Sequence, residues 1–356
     1  MFRSPLHTPL CDLLGVAAPI IQTGMGWVAT PELVAAVSNA GGFGFLAGAT
    51  IRPEQIDAAI EKVKALTPKP FGVNFLMDAP GAERIADALV RHRVRAAGYN
   101  RSPDGALIRR LKDAGVLCIP TCGAPRHVQK AEQLGADAVV VQGGEGGGHT
   151  GTIPSSLLIS ACADAVRIPV IAAGGFKDGR GLVAALALGA QGIAMGTRFL
   201  LTAESPVPPQ TAQRYFVAGL TDVIVTSEID GLPQRVIVNE LVRALEAKSG
   251  AAKLWFALRN ALAFRRATGA TLPDLLRSAL ALQRNEKLTR SQLLMAANAP
   301  MLAKAAMNDG DPIGGYLPSG TVAGVIADRP TCAELIERIL REANETLARL
   351  AAAKES

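Results

Sequence analysis

The sequence predicts an α/β protein built on a closed parallel barrel, the (β/α)8 or TIM barrel fold. Over the first 200 residues one theme recurs: a short apolar strand, a turn rich in Gly or Pro, and an amphipathic helix. Eight such strands occur, and eight is the number that closes a parallel barrel. Hydrophobic residues make up 49% of the chain, but aromatic residues only 4%. Small aliphatic side chains of this kind suit parallel strands, which are covered on both faces.

The eight strands can be placed from their apolar runs. They are predicted to start near Pro19, Phe43, Phe71, Val94, Val116, Ala138, Pro169 and Gly192. The helices between them include PELVAAVSNAG, PEQIDAAIEKVKAL, DGALIRRLKDAG, APRHVQKAEQLG, SSLLISACADAV and GRGLVAALALG. Several begin after Thr, Pro or Asp and end at Gly, as helices commonly do. A doubly wound open sheet is the alternative, but no GxGxxG follows the first strand, so the barrel is favoured.

The pattern changes from about Ala203. Residues 203–222 are rich in Pro, VIVTSEIDGLP is typical of a strand and turn, and roughly residues 236–308 are predicted to be helical. A Gly/Pro segment follows, and the last helix is predicted from about Cys332 to Lys354. We therefore divide the chain into a barrel, residues 1–202 plus 331–356, and a mainly helical cap or substrate region, residues 203–330. A separate helical domain without contacts to the site is the alternative.

Charge and cysteine content exclude several classes of protein. The formal charge is +6 and no block of five or six basic residues occurs, so nucleic-acid binding is not expected. No apolar run could span a bilayer, and the N-terminus lacks the apolar segment of a secretory signal. The five scattered cysteines lack zinc-ligand spacing, so we expect buried thiols, no metal, and a soluble protein of the reducing cytoplasm. An oligomer is compatible with the sequence, which leaves the oligomeric state open.

Two Gly-rich segments, IAAGGFKDGRG and IAMGTRFL, follow the seventh and eighth strands. Loops after the strands form the active face of a TIM barrel, and those after strands seven and eight commonly bind phosphate. Glycine lets backbone N–H groups approach an anion, and the helix that begins at each point adds a positive end. Gly174, Gly175, Gly196 and Thr197 are therefore candidate phosphate-binding residues. Ordinary turn chemistry is the alternative.

The loop after the sixth strand, VQGGEGGGHTG, has five glycines among the seven residues from Gly143 to His149. Such a segment is not expected to be a packing element, but it lets a flat molecule lie against the backbone. It presents one imidazole, His149, whose ordinary pKa suits proton transfer near neutrality, and we predict a catalytic role for it. Glu145 is a weaker candidate for a second acid or base. The other histidines are expected to be structural: His7, His92 and His127.

The first and third strands lead into QTGMGW and GVNF. Met25 offers a soft, adaptable surface to a ring system, and Asn74 offers donors and an acceptor that can orient a heterocycle. Each signal is weak alone. In a barrel, however, all of these loops surround one spot, so they indicate a single ligand site.

The segments QTGM, GVNF, GGEGGGHTG, AAGGF-DGRG and MGTRF, in this order and spacing, resemble the nitronate monooxygenase family, formerly called 2-nitropropane dioxygenases. The resemblance covers at least residues 10–205 and continues more loosely to the C-terminus. It implies a TIM barrel that holds FMN, with the phosphate on the last two loops and the flavin ring near the first and third strands. His149 falls on the family's active-site histidine. Carried over residue by residue, the implied FMN contacts are Thr23, Gly24, Met25, Asn74, Gln142, Gly147, Gly148, Ala173, Gly174, Gly175, Gly196 and Thr197.

The sequence departs from the family at one position. Several relatives have a lysine near the flavin at the end of strand five, where this chain reads CIPTCG and places Thr121. The role of that lysine in the relatives is therefore not carried over to this chain.

Several activities share the family's scaffold, and the FMN site alone does not choose between them. The segments MGWVATPELVAAVSNAGGFGFLA, IDGLPQRV and SQLLMAANAPML most closely resemble the subgroup of steroid-ring-degrading hydroxy-indane carboxyl-CoA dehydrogenases. This implies an FMN-dependent oxidoreductase that dehydrogenates an acyl-CoA thioester between its α and β carbons, or runs in reverse. NAD(P)+ or NAD(P)H would be the redox partner, and His149 would carry the α-proton.

Three alternatives stay open: a nitronate monooxygenase that uses O2, an NADH:quinone reductase, and a non-catalytic flavin- or phosphate-binding barrel. A catalytically placed His149 argues against the last. The cations of the helical region would suit the phosphates and pantetheine arm of CoA, a solvated helical face being the alternative. These cations are Arg243, Lys248, Lys253, Arg259, Arg265, Arg266, Arg277, Arg284, Lys287, Arg290 and Lys304.

Overall fold

The computed structural model of the chain describes residues 5–79, 81–100, 104–247 and 290–353. Contacts between residues divide the chain into two units. The first, which we call the barrel unit, comprises residues 1–146, 150–206 and 326–356. The second unit comprises residues 147–149 and 207–325. The chain therefore enters the second unit twice, once for only three residues and once for a long segment.

Eight parallel strands of the barrel unit form a closed barrel, which confirms the fold class predicted from the sequence. The barrel strands are β1 (Ile20–Gln22), β2 (Phe43–Ala47), β3 (Gly72–Leu76), β4 (Ala96–Asn100), β5 (Leu117–Cys122), β6 (Val139–Gln142), β8 (Val170–Ala173) and β9 (Gly192–Met195). A short strand of the second unit, β7 (Gly148–His149), comes between β6 and β8 in the chain. Pairing of β9 with β1 closes the ring. Every barrel strand starts within two residues of its predicted position.

Helix α1 (Pro9–Leu14) precedes the first strand, and the other helices of the barrel unit follow strands or end the chain. They are α2 (Pro31–Asn39), α3 (Ile56–Leu66), α4 (Ala82–Arg91), α5 (Gly105–Asp113), α6 (Pro125–Gln133), α7 (Ser155–Ala163), α8 (Gly179–Ala187) and α9 (Thr197–Leu200), with α13 (Cys332–Ala352) near the end of the chain. Polar side chains start several of them. The carboxylate of Asp104 accepts from two N–H groups at the start of α5, and Thr331 and Glu334 form a capping box at α13. Helix α13 packs against α8 and α2.

Side chains along the barrel strands alternate between two cores. One core lies between the strands and the helices and includes Val73 and Phe75 of β3. The other fills the inside of the barrel and includes Ile21 and Ile171, with Leu10 of α1. Because successive side chains of a strand point to opposite faces, this alternation decides which residues face inward at the carboxyl end of each strand.

The second unit combines a small antiparallel sheet with helices. Its further described elements are α10 (Pro209–Val217), β10 (Val223–Thr226), β11 (Gln234–Ile237), α11 (Glu240–Ala247), α12 (Arg290–Met307) and β12 (Leu317–Pro318). Strand β10 and the turn after it are the strand and turn predicted at VIVTSEIDGLP. The sheet is completed by β11, β12 and β7, none of which was predicted. It is tied to α10 by the buried Tyr215, whose hydroxyl donates to the carbonyl oxygen of Pro318 at 2.9 Å.

Two further predictions concern membranes and cysteines. Among the described residues, no helix combines the length and the apolar character that crossing a bilayer requires. All five cysteines are buried free thiols, as predicted. Burial raises the pKa of the Cys118 and Cys122 thiols to about 12, so both stay protonated and act as packing residues.

Candidate active site

The structure divides the residues predicted to form the site between the two units. The barrel unit holds Thr23, Gly24, Met25, Asn74, Gln142, Ala173, Gly174, Gly175, Gly196 and Thr197. All of these lie close to the carboxyl end of a barrel strand. Gly147, Gly148 and His149 belong to the second unit.

The two predicted phosphate loops follow β8 and β9, which are neighbours in the barrel. Gly174 and Gly175 adopt φ angles of 97° and 86°, in the left-handed region that favours glycine. Thr197 opens α9 directly after Gly196. Backbone N–H groups from two adjacent loops therefore lie at one edge of the barrel, an arrangement suited to an anion.

Gly196 brings the loop after β9 next to the loop after β1. A Cβ atom added at Gly196 would lie 3.3 Å from Oγ1 of Thr23 and 3.5 Å from Sδ of Met25. The loop after β1 in turn packs on β3, because a Cβ atom at Gly24 would lie 2.4 Å from Cβ of Asn74. The Thr23–Met25 loop, Asn74 and Gly196, which are distant from one another in sequence, thus form one contiguous cluster at the barrel mouth.

Two buried amide oxygens at strand ends have no hydrogen-bond partner within the part of the chain that is described. They are Oε1 of Gln22, at the end of β1, and Oδ1 of Asn100, at the end of β4. Leaving a buried polar atom unpaired costs about 1–3 kcal/mol, so such atoms mark places where a ligand can supply a donor. Asn100 was not among the residues predicted to form the site. Its position could have revealed it, since Asn100 is a polar residue at the carboxyl end of the barrel strand AAGYN.

The positive end of the helix after β8 is neutralised within the barrel unit itself. Oδ1 of Asp178 accepts from the N–H of Gly181 at 3.0 Å, and Oε2 of Glu342 accepts from the N–H of Gly179 at 3.0 Å. Two carboxylates satisfy these first donors of α8 and repel an anion. The expectation that this helix adds its positive end to the phosphate site is therefore wrong. The candidate donors of this loop are those of Gly174 and Gly175.

Glu145 fixes the loop after β6. Its Oε2 accepts from the backbone N–H of Ser155 at 2.9 Å and from the Ser155 hydroxyl at 2.6 Å. Gly143 must lack a side chain here, because a Cβ atom would lie 2.4 Å from Cα of Ser155. The carboxylate of Glu145 thus ties the loop to the start of α7. This structural role accounts for Glu145 without an acid–base function.

Strand β7 fixes the backbone of His149 within the second unit. It pairs antiparallel with β11, with His149 opposite Gln234. A Cβ atom at Gly147 would lie 2.5 Å from the backbone nitrogen of Gly320. The expectation that this glycine-rich segment is not a packing element is therefore wrong at Gly147, where the missing side chain lets two backbones approach.

His149 is paired with a carboxylate that sequence analysis missed. Its Nε2 lies 2.7 Å from Oδ2 of Asp230, which stands in the turn between β10 and β11. The side chain of His149 is 48% exposed and that of Asp230 only 10%. Asp230 lies within IDGLPQRV, a segment that carries the subgroup resemblance. Asp before Gly is also ordinary turn chemistry, so the sequence alone gave no reason to assign it a role.

The environment of Asp230 keeps its carboxylate charged. Burial raises the pKa of Asp230, but hydrogen bonds from the His149 and Gln234 side chains and from the N–H of Leu232, at 3.1 Å, outweigh this. The resulting pKa lies below the usual value for Asp. A buried carboxylate that accepts from a partly exposed imidazole can orient the ring and stabilise its protonated form.

Arg198, in the MGTRF segment, is buried but engaged within the barrel unit. Its Nη1 donates to Oδ1 of Asp328 at 2.7 Å, and its Nη2 donates to the carbonyl oxygen of Leu201 at 2.8 Å. Asp328 also accepts from Arg338 of α13 at 2.5 Å. Arg198 and Arg338 thus share the carboxylate of Asp328. This network holds α9, and the loop after β9, against the segment that precedes α13.

The remaining histidines make local contacts or are exposed. Nε2 of His7 lies 3.0 Å from a carboxylate oxygen of Asp12, and Nε2 of His92 lies 2.9 Å from one of Asp57. His127 is exposed on α6. These contacts agree with the structural roles expected for them.

Few of the cations predicted to bind CoA fall on described side chains. Lys304 is paired with Asp309 at 2.6 Å, and Arg243 is exposed on α11. Thr121, at the position of the family's lysine, lies half-buried in β5. Outside the described side chains lie Lys248, Lys253, Arg259, Arg265, Arg266, Arg277, Arg284, Lys287 and Arg290.

Comparison with known proteins shows which family has this fold and these residues. The family model described as Nitronate monooxygenase matches residues 7–102 and 96–342. The chain belongs to the nitronate monooxygenase family. It is therefore an oxidoreductase of a family whose members are flavoproteins. A probable nitronate monooxygenase of Staphylococcus haemolyticus is 32% identical over 291 residues, which are 68% of this chain and 82% of the relative.

Two family members are much more similar. Both are named (3aS,4S,5R,7aS)-5-hydroxy-7a-methyl-1-oxo-octahydro-1H-indene-4-carboxyl-CoA dehydrogenase. The protein from Mycobacterium tuberculosis is 52% identical over 341 residues, covering 95% of this chain and 96% of the relative. The protein from Rhodococcus jostii is 50% identical over 340 residues, covering 96% of each.

Solved structures show the same fold. FabK from Thermotoga maritima superposes with a TM-score of 0.78 at 31% identity and covers 98% of this chain and 99% of its own. Nitroalkane oxidase from Streptomyces ansochromogenes superposes with a TM-score of 0.76 at 28% identity and covers 96% of this chain and 99% of its own.

Proposed function

We propose that this family member is an FMN-dependent acyl-CoA dehydrogenase, acting on a fused-ring carboxyl-CoA thioester of the kind that arises in steroid degradation. The observation that carries the proposal is the 52% identity to the mycobacterial dehydrogenase. That identity extends over 95% of this chain, so it includes both units, whereas the staphylococcal relative is matched over only 68%. Function resides in the site rather than the fold, so similarity across both units is the stronger guide to the substrate.

The barrel mouth fits FMN. The N–H groups of Gly174, Gly175 and Thr197 suit a phosphate, and the Thr23–Met25 loop and Asn74 suit a flavin ring beside it. One feature supports this fit: the buried Oδ1 of Asn100 has no hydrogen-bond partner among the described residues. Gly196 also lies against Thr23 and Met25, so the proposed phosphate loop is next to the loop proposed for the flavin ring. By family resemblance Gln142, Gly147, Gly148 and Ala173 complete the set of contacts. When bound, FMN supplies the acceptor for the hydride that leaves the β-carbon.

The protein's own part in the reaction is proton transfer. We assign to His149 the removal of the α-proton of the thioester, which becomes acidic beside the carbonyl group. The His149–Asp230 pair supports this role, because the ionised carboxylate stabilises the ring once it has taken the proton. NAD(P)+ is proposed as the partner that restores oxidised flavin, and NAD(P)H as the reductant if the reaction runs in reverse.

Two further parts of the proposal concern substrate binding and location. The CoA phosphates are assigned to cations of the 236–308 region. Lys304 is the weakest of these candidates, since Asp309 already neutralises it. The five buried thiols support the reducing cytoplasm as the protein's location.

The cofactor proposal is tested by purification. We expect a yellow protein from which denaturation releases FMN in about equimolar amount, identified by its fluorescence and by chromatography. A colourless protein that does not bind added FMN would contradict the whole proposal.

The substrate proposal is tested by anaerobic mixing. Holoenzyme is mixed in turn with the indene-4-carboxyl-CoA thioester named for the mycobacterial relative, with NADH or NADPH, and with propionate 3-nitronate. Rapid loss of flavin absorbance with the thioester supports the proposal. Loss of absorbance with the nitronate alone would instead support the second candidate, a nitronate monooxygenase with O2 as the acceptor, which the family match and the staphylococcal relatives favour.

His149→Ala tests the assigned base. Because the side chain is about half exposed, its removal should leave folding and FMN content nearly unchanged. The thioester half-reaction should slow by about 10²- to 10⁴-fold, the usual contribution of a positioned acid–base group, while flavin reduction by NAD(P)H should change little. His127→Ala, which removes an exposed imidazole of α6, is the control and should match wild type. A thioester step within threefold of wild type in His149→Ala would show that His149 is not the base.

A further inference from the structure

The second unit contains a histidine–carboxylate pair with unequal exposure. The side chain of His149 is 48% exposed, whereas Asp230 beneath it is 10% exposed. We propose that Asp230 is a positioning residue: it holds the neutral ring of His149 as the Nε2–H tautomer, which makes Nδ1 the nitrogen that takes up and returns the proton. The catalytic part of this inference rests on the function proposed for His149, whereas the tautomer does not.

The backbone at both ends of the pair is fixed. His149 lies in β7 and is held opposite Gln234 of β11. Asp230 lies in the turn that leads into the same strand, four residues before Gln234. A ring and a carboxylate that are anchored to one strand meet without the loss of backbone freedom that a pair on two mobile loops would incur.

The two carboxylate oxygens of Asp230 contact different partners. Oδ1 accepts from the N–H of Leu232 at 3.1 Å, and Oδ2 lies 2.7 Å from Nε2 of His149. The contact with Leu232 stops the carboxylate from turning, so Oδ2 stays directed at the ring. A distance of 2.7 Å is typical of a hydrogen bond to a charged acceptor.

The charge of Asp230 determines which nitrogen carries the proton. Its pKa lies below the usual value for Asp, so near neutral pH the group is an ionised carboxylate and can only accept. Nε2 must therefore donate in both states of the ring. In the neutral ring the lone pair is on Nδ1, and the cation forms when Nδ1 takes up a proton while Nε2 keeps its own. Asp230 does not change its protonation at any stage.

The tautomer can be measured directly by NMR. The chain has four histidines, so selective 15N labelling of histidine gives a simple long-range 1H–15N spectrum of the holoenzyme. His149→Ala identifies the signals of His149 by their loss. At a pH at which the ring is neutral, we expect Nε2 to carry the proton and Nδ1 to show the shift of an unprotonated nitrogen. An Nδ1–H tautomer in the wild type would overturn the proposal, with no variant required.

Asp230→Asn provides the complementary test. The amide has nearly the same shape, but its Nδ2 group can donate to Nε2 and so favours the Nδ1–H tautomer. We expect the fraction of Nδ1–H to rise at least tenfold, and the thioester half-reaction to slow at least tenfold with unchanged FMN content. Unchanged signals of the other three histidines show that the variant is folded. An unchanged tautomer in folded Asp230→Asn would also overturn the proposal.

A second variant distinguishes the loss of the negative charge from a general disturbance of the structure. Asp230→Glu keeps the charge, so it should retain the Nε2–H tautomer and recover part of the rate lost in Asp230→Asn. If Asp230→Glu and Asp230→Asn show the same tautomer, the carboxylate does not control the ring. Failure of the proposed function would look different. A thioester step that is insensitive to His149→Ala would remove the catalytic role, even where the spectrum shows the expected tautomer.

Discussion

The glycine-rich segments that follow β6, β8 and β9 contain glycines for different reasons. Gly143 and Gly147, between β6 and β7, make room for the protein itself: Gly143 faces Ser155, and Gly147 faces the backbone at Gly320. After β8 and β9 the situation differs. A Cβ atom at Gly175 would have a nearest neighbour at 3.6 Å, and one at Gly196 would have its nearest at 3.3 Å. At Gly143 and Gly147 an added Cβ atom would collide with backbone, whereas at Gly175 and Gly196 it would meet only side-chain atoms.

The comparison shows what glycine content can and cannot reveal. GGEGGGHTG is the richest glycine segment of the sequence, and it suggested a flat ligand lying on bare backbone. In the structure much of that composition is explained by contacts within the protein. MGTRF has a single glycine, yet Gly196 is the glycine that lies against Thr23 and Met25, two residues predicted to contact FMN.

The largest expected effect is at Gly196. Gly196→Asp places a carboxylate against the proposed phosphate, and two unit charges 4 Å apart at an effective dielectric constant of 20 repel by about 4 kcal/mol. We therefore expect FMN affinity to fall about a thousand-fold, measured by quenching of flavin fluorescence on titration of the apoprotein. Gly196→Asn has the same size without the charge and should lose much less. Equal losses in the two variants would mean that volume matters at this position rather than charge.

A smaller effect, of a different kind, is expected at Gly147. The Cβ atom of Gly147→Ala would lie 2.5 Å from a backbone nitrogen, and backbone cannot turn aside as a side chain can. Overpacking of this kind typically costs about 1–3 kcal/mol. We expect the free energy of unfolding, measured by urea denaturation, to fall by that amount. Stability equal to wild type would show that the approach of the two backbones is not tight in solution.

Gly175→Ala should have a modest cost. Its φ of 86° disfavours an L side chain by roughly 1–2 kcal/mol, but the added Cβ atom meets only an ordinary contact at 3.6 Å. We expect a stability loss in that range and a loss of FMN affinity below tenfold. A thousand-fold loss of affinity in this variant would place the phosphate directly against Gly175.

The smallest effect is expected at Gly123, after β5. A Cβ atom there has no described atom within 4 Å, and its φ is not in the left-handed region. Gly123→Ala should change the free energy of unfolding by less than about 1 kcal/mol, and any change should be stabilising, because alanine restricts the unfolded chain. Unfolding curves and FMN titration of this variant set the baseline for the other three. A clear loss of stability would show that the Gly123 loop is packed in solution.

The barrel could be predicted because its signals are local. Each strand is an apolar run followed by a turn and an amphipathic helix, and every strand starts within two residues of its predicted position. Asn74, Met25 and Gly196 could be proposed for the same reason, since a barrel places the ends of its strands around one mouth. This prediction needed only the order of the elements.

The features that were missed depend on contacts between distant residues. His149 and Asp230 are 81 positions apart, and only the pairing of β7 with β11 brings them together. The capping of α8 was missed because one of its carboxylates, Glu342, lies on a helix near the end of the chain. No local pattern distinguishes such residues from ordinary turn or surface residues, so the sequence alone could not identify them.

Strand β7 also limits which segments of the chain related proteins can exchange by recombination. The second unit is not one continuous stretch of chain, because Gly147–His149 supplies a strand to the sheet that residues 207–325 otherwise build. A recombination event that exchanged only residues 207–325 would leave β11 facing a foreign strand, and Asp230 would be separated from its matched histidine. Viable chimaeras must therefore transfer two segments together. Substrate preference and the proposed acid–base residue are thus expected to be inherited as one module, even though His149 lies between two segments of the barrel unit in the sequence.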